Sequence, residues 1–215
     1  MVAVRYGVEL IPDPAYTARV YRARQLICGQ YGAWAAEMHM LHLSLVDFFK
    51  CADQALSVVS AGLSKIAEAS HHRVFRFPMS SRGVFSFPNT QGNLHLDFKV
   101  PENLSAQNQQ DLNALHGDVT RLLVHTEGVV LDLRHSEEKY HPHITLMEHA
   151  DLTPTVFESA LVFAMAVLSD LNVPNDTKAW QMVLVRYESD TDDDDWSDGG
   201  WAVDLRWQIL NSYLL

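Results

Sequence analysis

Basic side chains are scarce in this sequence: 16 Lys and Arg stand against 27 Asp and Glu, a formal net charge of -11. Wrapping duplex DNA or a long RNA requires many phosphates to be neutralised, so the composition excludes that class of partner. A small phosphate ester in a local pocket stays allowed. Cysteine is scarcer still. The only two, Cys28 and Cys51, form no CxxC pair and no disulfide framework, and they read as reduced thiols of a cytoplasmic protein. Residues 1–12 carry Arg5, Glu9 and Pro12 and lack the apolar run and small-residue cleavage site of a secretory signal. The most apolar later stretch, Val156 to Leu168, is too short to span a bilayer and contains Glu158 and Ser159, so no membrane association is expected. GxxxxGK, GxGxxG and GxSxG are all absent, which removes phosphate loops, dinucleotide fingerprints and nucleophile elbows. There is no HExxH and no cysteine cluster, and the reading assigns neither a metal nor any other cofactor.

What is present is an ordinary globular composition, 47% hydrophobic over 215 residues, enough for a substantial core. Val4 to Ile11 reads as a strand, ended by Pro12-Asp13-Pro14, where Asp13 can cap a helix and Pro14 can fill its first turn. In that helix Tyr16, Val20, Ala23, Ile27 and Tyr31 form one apolar stripe, leaving Arg19, Arg22 and Arg24 for a solvated face. His39 to Phe49 alternates as a strand, and Leu56, Val59, Leu63 and Ile66 return to helical spacing until His71-His72. Arg73 to Pro78 and Val84 to Pro88 read as a hairpin about Ser80-Ser81-Arg82-Gly83. The order then repeats: a strand from Leu94, a helix capped by Ser105, a strand from Val129, polar Ser136 to Lys139, and a strand through His143. A very apolar helix over Val156 to Leu171 and strands over Ala179 to Tyr187 and Trp201 to Leu210 close the chain. The acidic run at Asp190, Asp192 to Asp195 and Asp198 lacks the ligand spacing of an EF-hand and reads as a solvated loop, with Trp196 and Trp201 as exposed aromatics beside it.

Two short runs share one grammar. Leu41-His42-Leu43-Ser44-Leu45 and Pro142-His143-Ile144-Thr145-Leu146 each place a histidine and a hydroxyl on one face of a strand and aliphatic residues on the other. Two such strands facing each other provide what paired acid and base chemistry needs. His95-Leu96-Asp97 is a third His-x-polar run, but it lacks the hydroxyl and reads as structural. A zinc site built from His141, His143 and either Glu148 or His149 is the competing reading of the later histidines.

The duplicated His-x-Ser/Thr pattern, with Tyr140-x-Pro142-His143-Ile144-Thr145-Leu146 as its stronger copy, resembles the signature of the 2H phosphoesterase superfamily, which includes 2',5' RNA ligase-like proteins and cyclic phosphodiesterases. The resemblance implies an α+β, bilobal, duplicated fold over residues 1–215. Approximate halves of 1–92 and 93–215 would supply two antiparallel-rich sheets that line a central cleft, with helices outside. It also implies metal-independent hydrolysis of a cyclic or 2',5'-linked nucleotide phosphodiester. His42 and His143 would be general acid and base in interchangeable roles, and Ser44 and Thr145 would bind the phosphate oxygens. Tyr6, Phe77 and Tyr140 are candidates for stacking on a base, and Arg76, Lys139 and Arg186 for helping to hold phosphate. The expected partner is a small nucleotide or an RNA end. The alternative is a non-catalytic module that binds phosphorylated nucleotides or RNA ends.

Overall fold

The computed structural model describes residues 2–71, 73–87, 92–98, 106–131, 140–191, 196 and 199–215. β1 (Ala3–Pro12) runs into α1 (Pro14–Tyr31), and a short 3-10 turn (Ala35–Met38) precedes β2 (Leu43–Cys51) and α2 (Asp53–Ser70). β3 (Arg76–Phe85), β4 (Leu94–Phe98), α3 (Ala106–Val124), β5 (Val129–Val130), β6 (His143–Met147) and α4 (Pro154–Asp170) follow. β7 (Asp176–Ser189), a second 3-10 turn (Gly200–Val203) and β8 (Arg206–Leu214) complete the chain.

The expected cap of α1 forms. Asp13 accepts from the backbone N–H groups of Ala15 and Tyr16, Pro14 opens the first turn, and Gly32 ends the helix in the left-handed region at φ 66°. The second carboxylate oxygen of Asp13 accepts from the Thr177 hydroxyl at 2.8 Å, which ties the start of α1 to β7. Val8 and Leu10 of β1, Leu43 of β2 and Leu184 of β7 are buried to within 1% of full burial, each contributing roughly 1.5–3 kcal/mol of apolar burial.

All eight strands lie on one hydrogen-bonded path in the order β5-β2-β1-β7-β3-β4-β6, with β8 also on β7, and every pairing is antiparallel. The two expected sheets are therefore joined, and β7 joins them. Along one edge its residues 176–178 pair with β3, which leads on to β4 and β6, and its residues 181–188 pair with β8. Its other edge carries β1 along nearly the whole length. The helices pack as α1 on α4 and α2 on α3.

Several local expectations change. The hairpin at Ser80-Ser81-Arg82-Gly83 is instead a wide bulge inside one strand: Met79 pairs with Phe98 and Val84 with Leu96. The Ser80 hydroxyl explains it, because that oxygen accepts from the Arg82 N–H and donates to Asp97, holding the extra residues out of the ladder. The first motif strand begins at Leu43 and not at His39, because the chain leaves the 3-10 turn at Met38 and runs irregularly through 39–42, and the last begins at Arg206 and not at Trp201, which a 3-10 turn takes up. Trp196 and Trp201, expected to be exposed, are 4% and 5% exposed in a small second core with Phe48, whose φ of 49° turns its ring toward them. Arg24 is no solvated residue: it is fully buried, because it lies four residues after Val20 and three before Ile27 on the apolar stripe. The Ser105 cap, the Ser136 to Lys139 run and Asp192 to Asp195 with Asp198 lie outside the described residues. No helix among the described residues is long and apolar enough to cross a membrane.

Candidate active site

Strand alternation sorts both motifs as the sequence implies. Leu41, Leu43, Leu45, Ile144 and Leu146 are buried in the core, while His42, Ser44, His143 and Thr145 are half-buried on the other face. The two imidazoles are anchored alike. His42 Nδ1 bonds the Met40 carbonyl at 2.8 Å, and His143 Nδ1 bonds the His141 carbonyl at 2.9 Å. A carbonyl can only accept, so Nδ1 carries the proton in each ring and the neutral form of each presents a lone pair at Nε2.

The strands are brought together by residues from both halves. Tyr140, three residues before His143, donates its hydroxyl to the Ser44 carbonyl at 3.0 Å. His116 of α3 stacks on the Tyr140 ring at 4.2 Å and donates to the Leu45 carbonyl at 2.8 Å. Cys28 of α1 reaches the Leu146 carbonyl at 3.4 Å. The histidines feel each other: the charge of His143 is among the influences that lower the pKa of His42.

Around this pair lies a belt of further histidines. The His39 ring is 5.2 Å from that of His42, and its Nε2 meets Glu148 at 3.1 Å. The His95 ring is 4.7 Å from that of His143, and its Nδ1 meets the Thr145 hydroxyl at 3.3 Å. His141 turns away to Asp97 at 2.7 Å and stacks flat on Phe85 at 5.0 Å. Glu148, which directly follows β6, interacts electrostatically with His39, His95 and His149 and so links the two motif neighbourhoods. On β1, Glu9 faces Ser44 across the ladder and brings Oε2 to 3.4 Å from His42 Nε2.

Burial sets the protonation of these groups. It pushes His42 down to about 3, helped by the charges of His39, Arg24 and His143 and opposed by the Met40 hydrogen bond. It likewise lowers His95 to about 3, with His143 and His141 adding to the effect. For Glu9 burial acts in the opposite sense and, with Asp47, raises the carboxyl well above its ordinary value despite hydrogen bonds from Ser44 and Tyr187. Burial would also raise Glu148, but the His39 hydrogen bond and the charges of His39, His149 and His95 outweigh it and hold that carboxyl down at about 2.

Five of the expected contacts do not line this cleft in a form that could receive a ligand. Tyr6 is 3% exposed and packs on Phe49, and Phe77 is 1% exposed against Phe98, so both are core residues. Tyr140 has one ring face covered by His116 and serves as a strand tie. Arg76 is spent on Asp176 at 2.6 Å, and Arg186 is paired with Glu188. The zinc reading finds no support in the geometry of the described residues. No group of three His, Cys, Asp or Glu among the described residues is arranged to hold a metal. A groove of about 810 Å³ between α2 and α3, lined by residues such as Val58, Ile66 and Leu122, contains neither motif.

A family model described as the 2'-5' RNA ligase superfamily matches residues 11–191. The chain belongs to the 2'-5' RNA ligase superfamily. Among solved structures, this superfamily member is similar to TT0787 of Thermus thermophilus, with 17% identity, 98% of this chain and 97% of that one covered, and a TM-score of 0.54. It is similar to a protein described as a phosphoesterase, with 12% identity, 99% of each chain covered and a TM-score of 0.52. It is also similar to E. coli LigT complexed with 3'-AMP, with 14% identity, 98% and 97% covered and a TM-score of 0.51. At such identities the likeness shows the fold. Among curated proteins no match was found.

The residues that sequence reading of this superfamily member missed are Glu9, Arg24, Glu37 and His39; it considered Glu148 only as a zinc ligand, and it set His95 and Asp97 aside as structural. Arg24 donates from Nε to Glu37 at 3.1 Å and from Nη2 to the His39 carbonyl at 2.8 Å, so it sets the entry of the chain into the first motif. Helical spacing marked Arg24 as a stripe position, and a lone carboxylate in the apolar run Val8-Glu9-Leu10 marked Glu9. Nothing local marked His39, which reaches the cleft only through the 3-10 turn.

Proposed function

We propose that this superfamily member is a phosphoesterase that hydrolyses a cyclic or 2',5'-linked nucleotide phosphodiester without a metal, with His42 and His143 as the acid and base. The observation that supports it most is the shared anchoring: two imidazoles on matching motif strands, each with Nδ1 fixed to the carbonyl two residues upstream, each free to exchange a proton at Nε2. One ring takes a proton from the attacking water while the other gives one to the leaving oxygen. Such positioned proton transfer supplies roughly a hundred- to ten-thousand-fold in rate. The Ser44 and Thr145 hydroxyls, beside the rings on the same strand faces, donate to the non-bridging phosphate oxygens as charge shifts onto them, Ser44 turning from the Glu9 carboxyl to do so. A small substrate fits the acidic composition and the local character of the cleft.

The test is a panel of 2',3'-cyclic nucleotides and 2',5'-linked dinucleotides assayed with EDTA present. Turnover lost in both His42→Ala and His143→Ala is expected; turnover unchanged in either variant, or dependent on added metal, refutes the mechanism. Tight binding of nucleotide phosphates with no turnover across the panel would favour the non-catalytic module.

A further inference from the structure

The hydrolysis just described makes no use of Glu9, a buried carboxylate beside His42. Glu9 is 1% exposed at the middle of β1, with Ser44 of β2 on one side and Val183 of β7 on the other. Its Oε1 accepts from the Tyr187 hydroxyl at 3.3 Å, and Ser44 also hydrogen-bonds the carboxyl. Among the described residues its Oε2 has no hydrogen-bond partner, although His42 Nε2 is only 3.4 Å away. With Nδ1 committed to Met40, an ionised Glu9 beside a neutral His42 would set two lone-pair atoms against each other, the Glu9 one fully buried. Burying an unpaired polar atom costs about 1–3 kcal/mol, and more when it is charged. One proton between the two atoms removes that conflict.

We propose that Glu9 and His42 hold a single proton in common and that His42 delivers it to the leaving oxygen, which makes Glu9 a positioning residue and assigns the base to His143. The inference rests on the phosphodiester reading of the site. The surroundings oppose the other states of the pair. His39 on the turn before β2, Arg24 on α1 and His143 on β6 disfavour a positive charge at His42. Asp47 on β2 disfavours a negative charge at Glu9, while Tyr187 and Ser44 are neutral hydrogen-bond partners. What remains is a pair of zero net charge carrying one proton, and the lowered pKa of the ring and the raised one of the carboxyl describe the same state from its two ends. His143 differs, since among the described residues it has a carbonyl behind it and no carboxylate partner.

The step balances as follows. His143 Nε2 takes a proton from water as the water oxygen bonds to phosphorus. The bond from phosphorus to the leaving oxygen breaks, and that oxygen takes the proton from His42 Nε2, leaving the Glu9–His42 pair with one negative charge. His143 then releases its proton to solvent and the pair recovers one.

The experiment combines titration and kinetics. In the wild-type protein, NMR of the Glu9 carboxyl carbon and the His42 ring nitrogens should show both titrating with the same midpoints. Hydrolysis of a 2',3'-cyclic nucleotide in EDTA should have a basic limb in kcat/KM that moves to lower pH by about one unit in Glu9→Gln, a loss of about tenfold on that limb. Glu9→Asp should recover part of it. Unrelated midpoints for Glu9 and His42 overturn the pair, as does a Glu9→Gln profile superimposable on wild type. If Glu9→Gln fails to fold, the wild-type titration and the Glu9→Asp profile decide. If no phosphodiester is turned over, the phosphodiester reading fails alone, and joint titration still establishes the shared proton.

Discussion

His95 is a sensitive reporter of how dry this cleft is. The ring is 4% exposed, lies between Phe85, Phe87 and His143, and is held down to about 3 chiefly by burial. An unfolded histidine takes up its proton near 6.5, so between these values the unfolded state binds more protons and stability falls as pH falls. At pH 5 the penalty for His95 is 1.36 kcal/mol per unit over 1.5 units, about 2 kcal/mol, a large part of a total that is typically about 5–15 kcal/mol. His42 adds a loss of the same form, but Glu9 runs the other way. Its raised folded pKa means that the folded state keeps a proton the unfolded carboxyl lacks above about 4.5, so its contribution improves as pH falls and offsets that of His42. Glu148, lowered to about 2, loses its stabilising contribution only below the ordinary carboxylate range. Urea unfolding at pH 7 and pH 5 should therefore show a loss in the wild type that is about 2 kcal/mol smaller in His95→Gln, with surface histidines cancelling between the two. Equal losses in both proteins would mean that water reaches the ring and would refute the account of the cleft as a dry site.

Other outcomes follow from the same contacts. His42→Ala and His143→Ala should each lower kcat by roughly a hundred- to ten-thousand-fold with melting retained, measured on a cyclic nucleotide in EDTA; a small effect at either position removes it from the chemistry. Arg24→Leu leaves Glu37 and the His39 carbonyl without their donor and should cost about 3–5 kcal/mol in urea unfolding, whereas under about 1 kcal/mol would show that Arg24 does not hold the turn. The buried Cys28 thiol, pushed up to about 12 by burial, should resist a maleimide in the folded protein and react on unfolding, with the half-buried Cys51 labelled first; early labelling of Cys28 would contradict the packing of α1 on β6.

The parts legible in the sequence are those governed by short periodicity. Alternation put His42 with Ser44 and His143 with Thr145, and Asp13-Pro14 announced α1, because each depends on residues within one turn or one strand. What escaped depends on contacts between distant segments. Arg24 and His39 are meaningful only as a pair, 15 residues apart and joined through a carbonyl. His95 sits beside Thr145 through a strand pairing that spans 50 residues. Aromatic residues misled for a different reason: Tyr6, Phe77, Trp196 and Trp201 bury as readily as they stack on a ligand, and strand parity alone does not say which sheet face meets the helices.

The acidity that argued against nucleic acid acquires a more exact sense in the cleft. An unpaired carboxylate 4 Å from a phosphodiester would oppose it by about 4 kcal/mol at an effective dielectric of 20. Three carboxylates stand around the motif histidines, and each has an imidazole against it: Glu9 with His42 at 3.4 Å, Asp97 with His141 at 2.7 Å and Glu148 with His39 at 3.1 Å. Among the described residues, then, each of these carboxylates is set against an imidazole instead of facing an anion alone. Arg24 serves the chain turn, and Arg76 and Arg186 have acidic partners outside the pair of motifs. On the proposed reading, affinity for a phosphodiester should weaken as pH rises through the range in which the Glu9–His42 pair gives up its proton. A pair that carries one proton is neutral and not negative, so on the proposed reading it lessens the repulsion that a phosphodiester would meet in a chain with a net charge of -11.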